Sequence, residues 1–417
     1  MPGPSSPSGA LVETFNPSSG VFAQNPYPIY AALRERPQPY FYEPANAFLL
    51  ARYEDVDLIA RNPKLVRSLD AFLSEEDVAD RKREANWHDM PNHSRFVQSS
   101  LLDSDGEVHR RLRLLVLREF SRHFVERHRM MIQRYVDGLV DVLLDQNEID
   151  FVADLAAHVP GHIIGNVLGV PDEDCPQLRV WSEDVVQFFD IERTNEHKRL
   201  AEQATTEFYH YLLVLIAQRR KQPKADLLST LITAQNAGEI SETELISTCM
   251  LVLMAGHGST IDVLGSGMLA LLRHPEELLR LRENPSLIHT AVQEMFRYDS
   301  PLPFFHRYAS EELEFLGQRY PVGTKFGLLY GSANRDAAYF PDADRFDITR
   351  APNRHLAFGR GAHLCLGNNL AKLDMEIIFL TLLKRVRSIE CREDNPVFKR
   401  GLSARGLTSL PVSLVGF

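Results

Sequence analysis

The chain has 417 residues, 44% hydrophobic and 24% charged, a globular composition that excludes disordered, collagen-like and membrane-bundle classes. With 46 Lys plus Arg against 56 Asp plus Glu the formal net charge is -10, so no global basic field exists to hold nucleic acid or an anionic membrane. Four widely spaced cysteines, Cys175, Cys249, Cys365 and Cys391, form neither a C-x-x-C pair nor a disulfide framework and fit the reduced thiols of a cytoplasmic protein.

Residues 1–20 are rich in Pro, Ser and Gly and lack the basic start and apolar core of a signal peptide or membrane anchor, so a flexible, soluble lead is expected there. No repeat or linker divides the rest, and residues 21–417 read as a single domain, expected to be a monomer. From 25 to 60 the pattern is helix, small sheet, helix, the sheet including Phe48 to Tyr53. Residues 70–101 are polar and irregular, a long loop of the kind that is often functional. From His109 to Gln218 apolar residues recur every three or four positions, as in 130–144 and 196–218, and strand patterns return at 313–322 and 325–330. The class is mainly α with minor β.

One apolar stretch stands out. Ser241-Glu242-Thr243-Glu244 is a capping box, and the helical pattern after it continues to His274-Pro275, a helix on the order of 50 Å long. Gly256 and Gly258 sit mid-way, each costing roughly 1 kcal/mol against Ala in a helix interior. Either they permit close packing against another helix, or the helix opens there beside a ligand.

Phe358-Gly359-Arg360-Gly361-Ala362-His363-Leu364-Cys365-Leu366-Gly367 is a Gly-rich loop that leads into an apolar-periodic helix from Asn368. A cysteine at a helix N-terminus is stabilised as thiolate by exposed N–H groups and the helix dipole. The glycines let the main chain wrap the sulfur and donate hydrogen bonds to it.

This F-G-x-G-x-H-x-C-x-G pattern, with Leu370-Ala371-Lys372 after it, resembles the haem-binding signature of the cytochrome P450 monooxygenases. Six fixed residues at set spacing arise by chance on the order of once in 10⁸ windows, so a plain core cysteine in a tight turn is the weaker reading. The resemblance implies a P450 fold, with a long central helix over haem b and Cys365 as the thiolate ligand of its iron. It also assigns Phe358, Gly359, Gly361, His363, Gly367 and Ala371 to the haem cradle. Glu294-Met295-Phe296-Arg297 matches the family's E-x-x-R pair, whose third member is either Arg345 or Arg350. Asp105 to Arg113 resembles the family's D-P-P-x-H-x-x-x-R with both prolines replaced. By that likeness His109 and Arg113, with Arg307 and His355, are the haem-propionate partners.

Ala255-Gly256-His257-Gly258-Ser259-Thr260 is similar to the family's A-G-x-D/E-T-T, where the acid and the first threonine help relay protons to the oxygen being activated. Here Gly258 replaces the acid and Ser259 the threonine. A serine hydroxyl keeps the same donor and acceptor capacity, but the carboxylate role is vacant, to be filled by Asp262, Thr260, ordered water or a substrate hydroxyl. The implied activity is insertion of one atom of O2 into an apolar small molecule. Electrons would come from NAD(P)H through a reductase and a ferredoxin, docking on Arg110, Arg111, Arg118, Arg360 and Lys372. A peroxide-using or coupling enzyme and a non-catalytic haem sensor or carrier are the alternatives. Pocket candidates by position are Trp87, His88, Phe188, Phe189, Leu253, His257, Leu302, Phe304 and Phe305.

Overall fold

The computed structural model describes residues 12–13 and 15–417. Much of the lead expected over 1–20 lies outside the described residues. Within it, however, Val12 and Phe15 are buried, and Phe15 packs edge-on against Phe22 and Tyr42, so the packed chain begins before residue 21.

A main core of helices buries apolar stripes from Arg129–Leu144, Asn195–Lys221, Ile288–Tyr298 and Asn368–Arg385. Beside it stands a five-stranded sheet in the order Tyr40–Tyr42, Ala47–Leu50, Lys325–Leu329, Phe304–Ala309, Leu65–Val66. Its register sets Phe304 opposite Leu329 and Tyr308 opposite Lys325. A second sheet joins Glu148–Asp150, Pro411–Gly416 and Val386–Cys391. The hairpin Leu313–Phe315 with Gln318–Tyr320 turns on Leu316 and Gly317, both at positive φ, the geometry that twists with its strands.

The 70–101 segment is not an irregular loop. It forms the helices Glu75–Glu84 and Pro91–Gln98. The first is capped by Ser74, with acids in its first turn and bases in its last, so dipole and cap hold a helix that has almost no apolar stripe. The second starts with Pro91 at its first position and buries His93, Phe96 and Val97.

The long apolar stretch is two helices, Glu242–Ala255 and Gly258–Arg273, with both halves of the capping box formed at Ser241 and Glu244. The close-packing reading holds for Gly256, and at Gly258 there is open space. A Cβ on Gly256 would lie 2.5 Å from Ile164 Cγ1, whereas one on Gly258 would meet nothing within 4 Å. At the break His257 turns its Nδ1 to the Leu253 carbonyl, the acceptor that its own backbone N–H would use in an unbroken helix.

Candidate functional site

The cysteine loop is shaped by its glycines. Gly359 and Gly361 have φ of 68° and 72°, and a Cβ on Gly361 would come within 2.6 Å of the Ala60 carbonyl oxygen. The Cys365 N–H donates to the Phe358 carbonyl at 2.8 Å, which folds the loop back on itself. Cys365 is exposed, and the backbone N–H groups of Gly367 and Asn368 favour its thiolate form. Burial by the surrounding protein pushes the thiol pKa up, opposed by those two donors and by the Arg113 and Lys372 charges. Arg113 also anchors the loop by donating to the Leu364 carbonyl at 2.6 Å, and Lys372 lies over the Phe358 ring.

Asp105, one residue before the Gly106–Leu117 helix, organises the neighbouring polar groups. Its carboxylate accepts from the Arg67 and Ser68 N–H groups and from His363 Nε2 at 3.1 Å. Burial alone would raise its pKa, but the hydrogen bonds, His363's foremost, hold it below the usual carboxylate range. His363 packs 4.3 Å from the His109 ring, and burial pushes it down to about 4 despite Asp105. Both rings are therefore neutral near pH 7. Arg307 is 2% exposed and has no acid within ion-pair distance among the described residues. His355 differs from its expected role: its Nε2 bonds Gln293 Oε1 at 2.8 Å and its Nδ1 accepts from Ala357 N–H, so both ring nitrogens are already engaged.

On the helix pair, Ala255 is exposed and Gly256, Gly258 and Ser259 are half-exposed, while Leu253, Met254, His257 and Thr260 are buried. An apolar helix thus keeps one bare face, at the break. Asp262 does not join it. Its carboxylate bonds Lys399 Nζ at 2.7 Å and packs on Gly406.

The Glu294 and Arg297 side chains are fully buried and joined by two hydrogen bonds of 2.8 Å. The third member is Arg350, whose Nε lies 3.2 Å from Glu294 Oε2. Arg345 contributes only its backbone carbonyl, to Arg297.

A family model described as cytochrome P450 matches residues 58–414. The chain belongs to the cytochrome P450 family. It is 33% identical to the polyketide biosynthesis cytochrome P450 PksS of Bacillus subtilis (strain 168), over 96% of this chain and 98% of that protein. Its fold is similar to that of P450BioI, crystallised with an acyl carrier protein bearing hexadec-9Z-enoic acid, at TM-score 0.88 and 32% identity, covering 95% of this chain and 99% of the other. Myxobacterial CYP267B1 in complex with myristic acid is alike at TM-score 0.88 and 35% identity, covering 96% and 98%.

P450s bind haem, iron protoporphyrin IX, and the residues here fit it. An exposed thiol backed by two N–H donors and two cations suits an iron-bound sulfur. The exposed Ala255 and half-exposed Gly258 and Ser259 would leave room beside such a group. Arg113, His109 and the acid-free Arg307 suit propionates.

The pocket candidates divide. Leu253, His257 and Phe188 are 1% exposed or less and pack into protein; His257 faces Gly161, where a Cβ would lie 2.7 Å from its Nε2. Trp87, Phe189, Leu302, Phe304 and Phe305 keep open surface. His88 is half-buried beside Asp89. Sequence reasoning missed Arg67 and His93. The first is hidden in a strand end, whereas Trp87 Nε1, 3.2 Å from His93 Nδ1, is paired only by the fold.

Proposed function

We propose that this P450 is a single-domain monooxygenase that inserts one atom of O2 into an apolar small organic molecule, with electrons drawn from NAD(P)H through a ferredoxin reductase and a ferredoxin. The observation that carries this reading is the pairing of an exposed, N–H-supported Cys365 with an open helix face that retains a hydroxyl at Ser259. Bound haem supplies a thiolate-ligated iron whose electron-rich sulfur favours O–O cleavage. Cys365 would hold the iron, and Arg113, His109 and Arg307 the propionates. His355 would join them only by releasing Gln293.

Ser259 Oγ is the group that would hold or pass a proton at the open face. Asp262 is committed to Lys399, so of the substitutes for the missing acid, Thr260, water in the space beside Gly258, or a substrate hydroxyl remain. The five open pocket residues are aromatic or aliphatic, which matches apolar ligands such as the myristic acid of CYP267B1.

The docking patch is narrower than the sequence implied. Arg110 pairs with Glu107, Arg111 with Glu244 and Arg360 with Asp57, leaving Arg118 and Lys372 of the five expected cations without an ion pair among the described residues. Two stretches are long and apolar enough to span a membrane, Phe151–Leu168 and Glu242–Arg273, but each is 72% buried in the fold, as core helices are.

The glycine at 258 favours one alternative, a peroxide-using or coupling enzyme, since peroxide arrives already protonated. Haem-loaded protein with NADPH and a surrogate reductase and ferredoxin should form hydroxylated product steadily from a spectrally selected ligand. Product formed only with added hydrogen peroxide would establish the alternative instead.

A further inference from the structure

The break between Glu242–Ala255 and Gly258–Arg273 is closed on one side and open on the other. Its closed side rests on the helix Val159–Leu168. Gly256 lies against Ile164, where a Cβ would come within 2.5 Å of Cγ1, and His257 lies against Gly161, where a Cβ would come within 2.7 Å of Nε2. Gly161 and Ile164 are three positions apart and so share one face of their helix. On the open side Ala255 is exposed and Gly258 and Ser259 are half-exposed. The Gly256 N–H still reaches the Val252 carbonyl at 3.2 Å, and the Ile261 N–H reaches the His257 carbonyl at 3.2 Å. Between these bonds the second helix begins, and the N–H groups of its first turn have no partner within it.

His257 stands at the joint with φ of -97° and ψ of -80°, away from the ψ of about -42° that continues a helix. It is 1% exposed. Burial holds its pKa below the usual histidine range, so the ring is neutral and carries one proton. That proton is on Nδ1, because the Leu253 carbonyl that Nδ1 faces only accepts. Nε2 is then a bare acceptor, and it has no partner among the described residues. A leucine at 257 would bury no unsatisfied atom, whereas the histidine buries one at a cost. What the histidine adds is the Nδ1–H, which serves the Leu253 carbonyl in place of the backbone N–H that an unbroken helix would supply. The side chain thus makes good, on the spot, the bond that opening the helix gives up.

We infer that His257 is a positioning residue for the reaction: its ring, seated at Gly161 and bonded to Leu253, holds the helix open and keeps Ser259 and the space beside Gly258 on the exposed face. The opening is then a built-in property of the chain, present without a ligand. Only the use made of it rests on the monooxygenase reading above. Without the Nδ1–H, the backbone N–H of residue 257 would take the Leu253 carbonyl, the helix would run on through 258, and Ser259 would turn with it.

Three variants of the haem-loaded protein test this. His257→Leu removes the donor at similar volume, Gly161→Ala keeps the donor but fills its seat, and His257→Asn keeps an N–H donor on a shorter side chain. Hydrogen–deuterium exchange at the amides of residues 257–260 reads the opening directly. Exchange there should slow about tenfold or more in His257→Leu and about threefold or more in Gly161→Ala, and should stay within about twofold of the parent in His257→Asn. With a surrogate reductase and ferredoxin, the share of NADPH electrons lost to hydrogen peroxide should rise in the same order, at unchanged haem content. If His257→Leu does not load haem, Gly161→Ala decides, since it alters neither helix of the pair. Exchange that is unchanged or faster in either variant would overturn the inference, because the glycines alone would then open the helix. Equal slowing in His257→Leu and His257→Asn would overturn it too, by assigning the effect to ring volume rather than to the hydrogen bond. Failure of the monooxygenase reading would be visible separately, as absent product in parent and variants alike while the exchange differences persist.

Discussion

The Glu294 cluster and the open residues at Cys365 and Gly258 are treated in opposite ways. Around Glu294 both carboxylate oxygens are filled: Arg297 donates to each of them and to the carbonyls of Asn334, Ala343 and Arg345. Asp347 N–H, Arg350 and Asn353 fill the remaining positions on the carboxylate. In the open region, Cys365 and Ala255 are exposed and a side chain at 258 would meet no atom within 4 Å. A saturated buried network is rigid because any movement leaves a charge unpaired. It ties together the segments that precede the cysteine loop, so that the open region can leave its own groups uncommitted for chemistry.

The difference is broken most completely at the sulfur. Cys365→Ala should abolish the thiolate signature in the ferrous carbon monoxide spectrum, while the stability of the protein without haem changes by no more than about 1 kcal/mol, since an exposed thiol packs little. Retention of the signature would assign the ligand to another cysteine.

Next in size is the proton path. General acid and base steps are typically worth roughly 10² to 10⁴ in rate, so Ser259→Ala should divert most NAD(P)H electrons from product to hydrogen peroxide. Gly258→Asp is accommodated by the open space there and should restore coupling if the missing acid is a simple deficit, or block ligand binding if the space serves the substrate. Unchanged coupling in both variants would move the proton route away from this helix.

Within the closed cluster, Glu294→Ala leaves the Arg297 side chain, 0% exposed, without its anion, a loss of roughly 3 to 5 kcal/mol. Denaturant unfolding of the loaded protein should show it, together with poor haem incorporation; a normally stable, loaded variant would show that the network is dispensable.

How much of this was legible in the sequence follows the same division. The cysteine loop, the E-x-x-R pair and the capping box are local patterns whose spacing sets their geometry, and all three formed as read. The helix break at Gly256 and His257 was only half legible, because the ring that replaces a backbone donor depends on the small residue at Gly161, on another helix. Asp262 looked available for proton relay because its partner, Lys399, lies 137 residues further along the chain. His355 looked free because Gln293 carries no charge to advertise the pairing. The helix at 75–84 was missed because its cap and charges, rather than an apolar stripe, hold it, and the one at 91–98 because it is short and starts on a proline.

Arg345 and Arg350 sharpen the comparison at its finest scale, since the sequence made them equal and the structure separates them. Arg350 reaches Glu294 with its Nε and donates to the carbonyls of Pro341, Asp342 and Arg345, with its side chain 10% exposed. Arg345 enters the cluster through its main chain alone, which any residue supplies. Arg350→Ala should therefore cost about 1.5 to 3 kcal/mol, the range for hydrogen bonds to a charged partner. The loss is smaller than for Glu294→Ala because Arg297, Asp347 and Asn353 still satisfy the carboxylate. Arg345→Ala should stay within about 0.5 kcal/mol, as surface changes away from a network do. Parallel unfolding curves of the two variants decide it. Equal losses would mean that the Arg345 side chain also stabilises the segment, and the closed region would then extend to the surface instead of ending at Arg350.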